Sequence, residues 1–152
     1  MNGADITAVS IIIIFTVIGY FMGSIRSVAS LLGIFGAFFV TDQLVRNGVP
    51  ENTYILAFVG IFLGATLIGV LFIGKTRMTL VESMEGVFGS ILGFVIGWGV
   101  ARFVFSVIMF YRPDTEFAGL IQSGMISMDI YLVTPFQAMM NDTESLRNPK
   151  IF

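Results

Sequence analysis

The stretch Tyr54-Ile55-Leu56-Ala57-Phe58-Val59-Gly60-Ile61-Phe62-Leu63-Gly64-Ala65-Thr66-Leu67-Ile68-Gly69-Val70-Leu71-Phe72-Ile73-Gly74 carries no charge from end to end. Some 20 apolar residues in an α-helix cross the roughly 30 Å hydrocarbon core of a bilayer. Lys75-Thr76-Arg77 closes the run. Upstream, Asp42 to Thr53 is polar and contains the turn Asn47-Gly48-Val49-Pro50. Before it, Ile6 to Ile25 and Val28 to Val45 are apolar and separated by Arg26. One continuous helix over both would project far into water. A tight hairpin around Gly23-Ser24-Ile25-Arg26-Ser27 is therefore expected. Downstream, Glu82 and Glu85 lead into a fourth run, about Gly86 to Tyr111, which Arg112-Pro113-Asp114 ends.

Composition agrees with lipid as the solvent. Of 152 residues, 56% are hydrophobic and 12% charged. Soluble globules carry roughly 25% charged residues, so this chain cannot cover itself for water. The expected fold class is an all-α membrane protein with about four transmembrane helices and a C-terminal amphipathic helix. Residues 1–112 would form the bundle, 113–140 the amphipathic segment and 141–152 a flexible tail. With no Cys and no His, thiolate chemistry and the usual general base are excluded. No cofactor and no metal are expected. The net charge of −2 argues against nucleic acid as a partner. Met1-Asn2-Gly3-Ala4-Asp5 lacks the positive start of a signal peptide, so the first helix is expected to be retained.

In the segment Phe117 to Met140, Ile121, Met125, Met128 and Leu132 recur at helical spacing. Such a helix would lie on the membrane surface or against a partner, broken at Pro135. Its methionines (125, 128, 139 and 140) would make it adaptable. Lys and Arg near the span ends suggest an orientation. Arg26, Lys75 and Arg77 fall on one side and Arg46 and Arg112 on the other, which puts the short loops in the cytoplasm and both termini outside.

Small residues recur every four positions. Gly89, Gly93, Gly97 and Ala101 do so in the fourth run, and Ala29, Gly33, Ala37 and Thr41 in the second. Gly60 and Gly64 repeat the device in the third, Gly19 and Gly23 in the first. Two readings are open: packing within the bundle, or an oligomer seam or glycine-lined pore. Arg102 lies inside the fourth run. A central Arg costs at least about 2.5–3.5 kcal/mol on insertion scales. It would pair with Asp42 or snorkel to the head groups. Tyr54 and Tyr111, at span ends, read as interfacial anchors. Glu82 and Glu85 read as helix-start acids.

Two blocks resemble a known family. The first is Asp5, then Gly23-Ser24-Ile25-Arg26-Ser27-Val28-Ala29-Ser30-Leu31 and Gly36-Ala37-Phe38-Phe39-Val40. The second is Glu85 followed by Gly89, Gly93 and Gly97. In order and spacing they resemble the colicin V production protein (CvpA) family over most of Asp5 to Ala101. Ser27 departs from the usual acid, Glu85-Gly86 from an Asp-Arg pair, and Ser123 lacks its following Pro. The resemblance implies a multi-pass bacterial inner-membrane protein without enzymatic chemistry. It would support peptide-toxin production or export, or envelope homeostasis, and carries over Asp5, Gly23, Arg26, Ser30, Glu85, Gly89, Gly93 and Gly97 as structural positions. Expected partners are the lipid bilayer and either other copies or other membrane proteins. The rival is a small oligomeric channel lined by the fourth helix. Alkaline carbonate washing should leave the chain in the membrane pellet; recovery of a monodisperse chain in detergent-free buffer would refute the membrane reading.

Overall fold

The computed structural model describes residues 1–72 and 84–132. They form α1 (Gly3–Met22), α2 (Ser24–Arg46), α3 (Glu51–Phe72), α4 (Glu85–Tyr111), α5 (Glu116–Ser123) and α6 (Met125–Leu132). The first four are long and apolar enough to cross a bilayer, so the chain is an all-α, multi-pass membrane protein. Many of their largest apolar side chains face outward, with Leu56, Leu71 and Phe21 each more than 70% exposed. In water such a surface would aggregate; in lipid it costs nothing.

The joint between α1 and α2 is a single residue. Gly23 has φ +79°, a conformation that disfavours any side chain. Its N–H donates to the Gly19 carbonyl at 3.0 Å, and its own carbonyl accepts from Ser27 N–H at 3.2 Å. The expected reversal is therefore present, yet α1 and α2 scarcely touch. α1 packs instead along α4, while α2 packs along α3 and then α4. Gly48, with φ +68°, turns the chain between α2 and α3.

Close approach of α1 and α4 explains the glycines of α4. A Cβ on Gly89 would strike the Gly19 carbonyl oxygen, and one on Gly93 the Phe15 carbonyl oxygen. A Cβ on Gly97 would lie 2.8 Å from Ile12 Cα. Backbone thus meets backbone along about two turns, which is how van der Waals contact holds helices where lipid supplies no hydrophobic drive. Ala101 ends the stripe, fully buried with Ala4, Ala8 and Phe105.

The α2–α3 seam uses the expected small residues of α2 but a different pair on α3. A Cβ on Gly33 would lie 2.5 Å from Ala65 Cβ, and one on Gly69 would strike Ala29 Cβ. Among the described residues, nothing lies within 4 Å of where a Cβ on Gly60 or Gly64 would stand: their turn of α3 faces away from α2, and Ala65 and Gly69, one and five positions on from Gly64, take the packing face. The phase of the small residues misled because α3 carries two such rows. Ala37 is fully buried, as expected of a packing residue.

Aromatic rings fill the wider gap between the two close pairs. Phe58 stacks on Phe103 at 3.6 Å and 7°, and meets Phe38 edge-on at 5.1 Å. Tyr54 stacks on Phe103 at 5.5 Å, and Phe15 tilts against Phe62 at 6.2 Å. Each such pair adds roughly 0.5–1.5 kcal/mol beyond burial.

The segment after α4 is two short helices, not one amphipathic helix. Gly124 is extended (φ −81°, ψ 146°) and ends α5. The break resets the helical phase, so Met125 is 81% exposed while Ala118, Ile121 and Ile130 are buried. The pair folds back on α1 and α4 of the same chain. Pro135, Met139, Met140 and the tail 141–152 lie outside the described residues, as do Lys75, Arg77 and Glu82.

Gly93→Leu should destabilise the detergent-solubilised chain by at least about 2 kcal/mol through overpacking. Gly64→Leu should stay within about 1 kcal/mol of the parent. Thermal unfolding followed by circular dichroism separates the two.

Candidate functional site

The polar centre of the fold is built on Asn2 and Asp5. Asn2 caps α1: its Oδ1 accepts from Asp5 N–H at 3.0 Å, and Asp5 Oδ2 accepts from Asn2 N–H at 3.1 Å. This reciprocal box satisfies two donors at the helix start. The other carboxylate oxygen reaches across the chain. Asp5 Oδ1 accepts from Ile126 N–H at 3.1 Å, Ser127 N–H at 2.9 Å and Ser127 Oγ–H at 3.0 Å.

Ile126 and Ser127 are the second and third residues of α6, whose amides a cap residue normally satisfies. Gly124, just before α6, has no side chain to do so. Asp5 therefore caps α6 from a distance. Gly124 must be glycine here, because a Cβ would lie 2.6 Å from Asp5 Oδ1 and collide with Ser127 Oγ. The Asn2 amide donates to the Leu120 carbonyl and to Ser123 Oγ, tying α5 into the same knot. Asp5 is only 1% exposed, and a buried carboxylate is tolerable because each oxygen is bonded.

The second polar feature is Arg102, nine residues before the end of α4, or about 14 Å along the axis. Its guanidinium lies 5.8 Å from the Phe38 ring centroid, a cation–π distance. Tyr131, Tyr54 and Asp42 are the ionisable groups near enough to act on its charge. Asp42, the expected partner of Arg102, is among them, and it also pairs locally. Asp42 binds Arg46, one turn along α2, at 3.1 Å. That partner is local and competes well with a distant one. Arg112 binds Glu51 at 3.3 Å, and Tyr111 Oη–H donates to the Val49 carbonyl at 3.1 Å. Both tie the end of α4 to the start of α3. Tyr54 is not an interfacial anchor: it is 8% exposed, inside the aromatic gap.

The opposite end gathers the rest of the motif. The Glu85 carboxylate lies against Gly23, 2.9 Å from where a Cβ would stand. Ser30 Oγ–H donates to the Arg26 carbonyl at 3.3 Å, and Ser27 is 1% exposed. Arg26 thus lies at one end of the bundle and Arg46 and Arg112 at the other, the separation on which the expected orientation relies.

Structure therefore splits the motif residues into two ends, with Asp5 at one and Gly23, Arg26, Ser30 and Glu85 at the other. Among the described residues no group of acids is placed to hold a metal ion. Sequence reading missed Asn2, Gly124 and Ser127 as partners of Asp5. The Asn-x-x-Asp spacing at positions 2 and 5 signals the cap of α1; nothing local signals the bond to residue 127. Compared with protein-family models, with curated proteins and with solved structures, the chain matches none.

A double-mutant cycle on Asp42→Ala and Arg46→Ala should give coupling of about 0.3–0.5 kcal/mol, the value of an exposed turn-spaced pair. Phe38→Leu with Arg102→Met should give about 0.5–1 kcal/mol or more, since the ring contact is shielded from water. Unfolding of the four proteins of each cycle in one detergent supplies the numbers.

Proposed function

We propose that this chain is a non-enzymatic accessory protein of a bacterial inner membrane. It acts by binding other membrane components, in peptide-toxin production or export or in envelope homeostasis, as its resemblance to the CvpA family implies. What supports the reading is the engagement of its polar groups. Asp5, Asp42 and Glu51 each hold a structural partner within the chain, and Glu85 packs on the Gly23 joint. Such groups organise helices rather than turn over a substrate.

The rival reading places a pathway along the glycines of α4. In this chain that face is filled by the backbone of α1, at Ile12, Phe15 and Gly19. A pathway there would require the two most closely packed helices to part.

Removing the gene from a toxin-producing host should lower exported toxin, or sensitise the envelope to detergent, and a plasmid copy should restore the parent phenotype. The purified chain in planar bilayers should show no unit conductance. Discrete current steps from a homo-oligomer, together with unchanged export and envelope behaviour on deletion, would overturn the proposal in favour of a channel.

A further inference from the structure

We propose that α5 and α6 form a strap, closed by the Asp5 carboxylate, whose opening exposes Arg102. The inference goes beyond the proposed function and does not depend on it. It rests on four observations that meet at one place.

First, each of the two helices is eight residues long. Helices of that length are not stable in isolation, so their order must come from docking. Second, the direct polar bonds between α1 and the strap pass through Asn2 and Asp5. Asp5 alone satisfies two amides of α6 and the Ser127 hydroxyl on one oxygen. Without it, the start of α6 would lose its cap and leave buried N–H groups unbonded. Third, the strap docks by its apolar face: Ala118, Ile121 and Ile130 are fully buried, and Phe117, Leu120, Ile126 and Tyr131 pack partly buried around them. Since the three bonds to α6 share one acceptor, Asp5 Oδ1, withdrawing that oxygen removes them together.

Fourth, the strap covers something. α5 packs against the outer part of α4, where Phe117 meets Phe105 at 6.4 Å and the Gln122 amide approaches Met109 Sδ at 3.9 Å. α6 starts at Asp5, packs on α4 and carries Tyr131 into the neighbourhood of Arg102. Arg102 is one turn deeper in α4 than Phe105. The strap thus lies over the side of α4 on which the intramembrane guanidinium is found. When it lifts, Tyr131 leaves, and the cation gains access from the end of the bundle at which the strap docks.

The chain has no Cys, so an introduced thiol reports one position. The test uses the full chain in lipid vesicles carrying Ile130→Cys or, as an exposed control, Met125→Cys. A water-soluble maleimide should label position 125 readily and position 130 slowly. Adding Asp5→Asn, which weakens the clasp, or Gly124→Ala, which blocks it from the other side, should raise labelling at 130 by about tenfold or more and leave 125 unchanged. Phenylglyoxal modification, mapped by peptide mass, should rise at Arg102 by a similar factor relative to Arg112. Size-exclusion profiles in detergent confirm that the variants keep the bundle. Position 130 as reactive as 125 in the parent, or protected in both clasp variants, would overturn the strap. Position 130 opening with no change at Arg102 would overturn the claim that the strap guards it.

Discussion

Backbone contact between α1 and α4 is the constraint on which the rest of this molecule depends. Gly89, Gly93 and Gly97 let α1 approach until carbonyl oxygens of Phe15 and Gly19 sit where side chains would otherwise be. In lipid, helices gain little from hiding apolar surface from one another. Dispersion over many close atoms, each pair worth roughly 0.1–0.2 kcal/mol, must do the holding. A stripe three glycines long allows that contact to run unbroken. It also fixes the register of the two helices, and through register it sets where Asp5 stands relative to the end of α4.

From that register the remaining contacts follow. The α2–α3 pair makes its own close seam at Gly33 and Gly69. The space left between the pairs is too wide for small residues and is filled by Tyr54, Phe58, Phe62 and Phe103. The bundle is thus held in two ways, by backbone proximity within each pair and by aromatic bulk between them. Arg102 is accommodated in the second region, where the Phe38 ring accepts its charge.

Much of this was legible in the chain. The four spans, the break at Gly23, the turn at Asn47-Gly48 and the packing stripe of α4 rest on local signals: charge, run length, turn chemistry and four-residue periodicity. What could not be read depends on phase and on long-range pairing. In α3 two rows of small residues compete, and only the neighbour decides that Ala65 and Gly69 rather than Gly60 and Gly64 face inward. In the tail, Gly124 resets the helical phase, which turns Met125 outward. Asp42 pairs with Arg46 four residues away and also acts on the charge of Arg102 from a distance. The bond from Asp5 to Ser127 spans 122 positions, and no local pattern encodes such a pair.

The order of neighbours bears on how the protein is made. α1 is synthesised first, but the helix it fits is α4, and α2, next in line, barely touches it. While α2 and α3 can close their seam as soon as both have entered the bilayer, α1 must wait in lipid until the ribosome has passed residue 101. Its strongly apolar surface suits that interval, because an unpartnered α1 is content among acyl chains. The exception is Asp5, whose bonds to α6 can form only after Ser127 has emerged, so the junction of α1 with α6 is made later than any contact among the four spans.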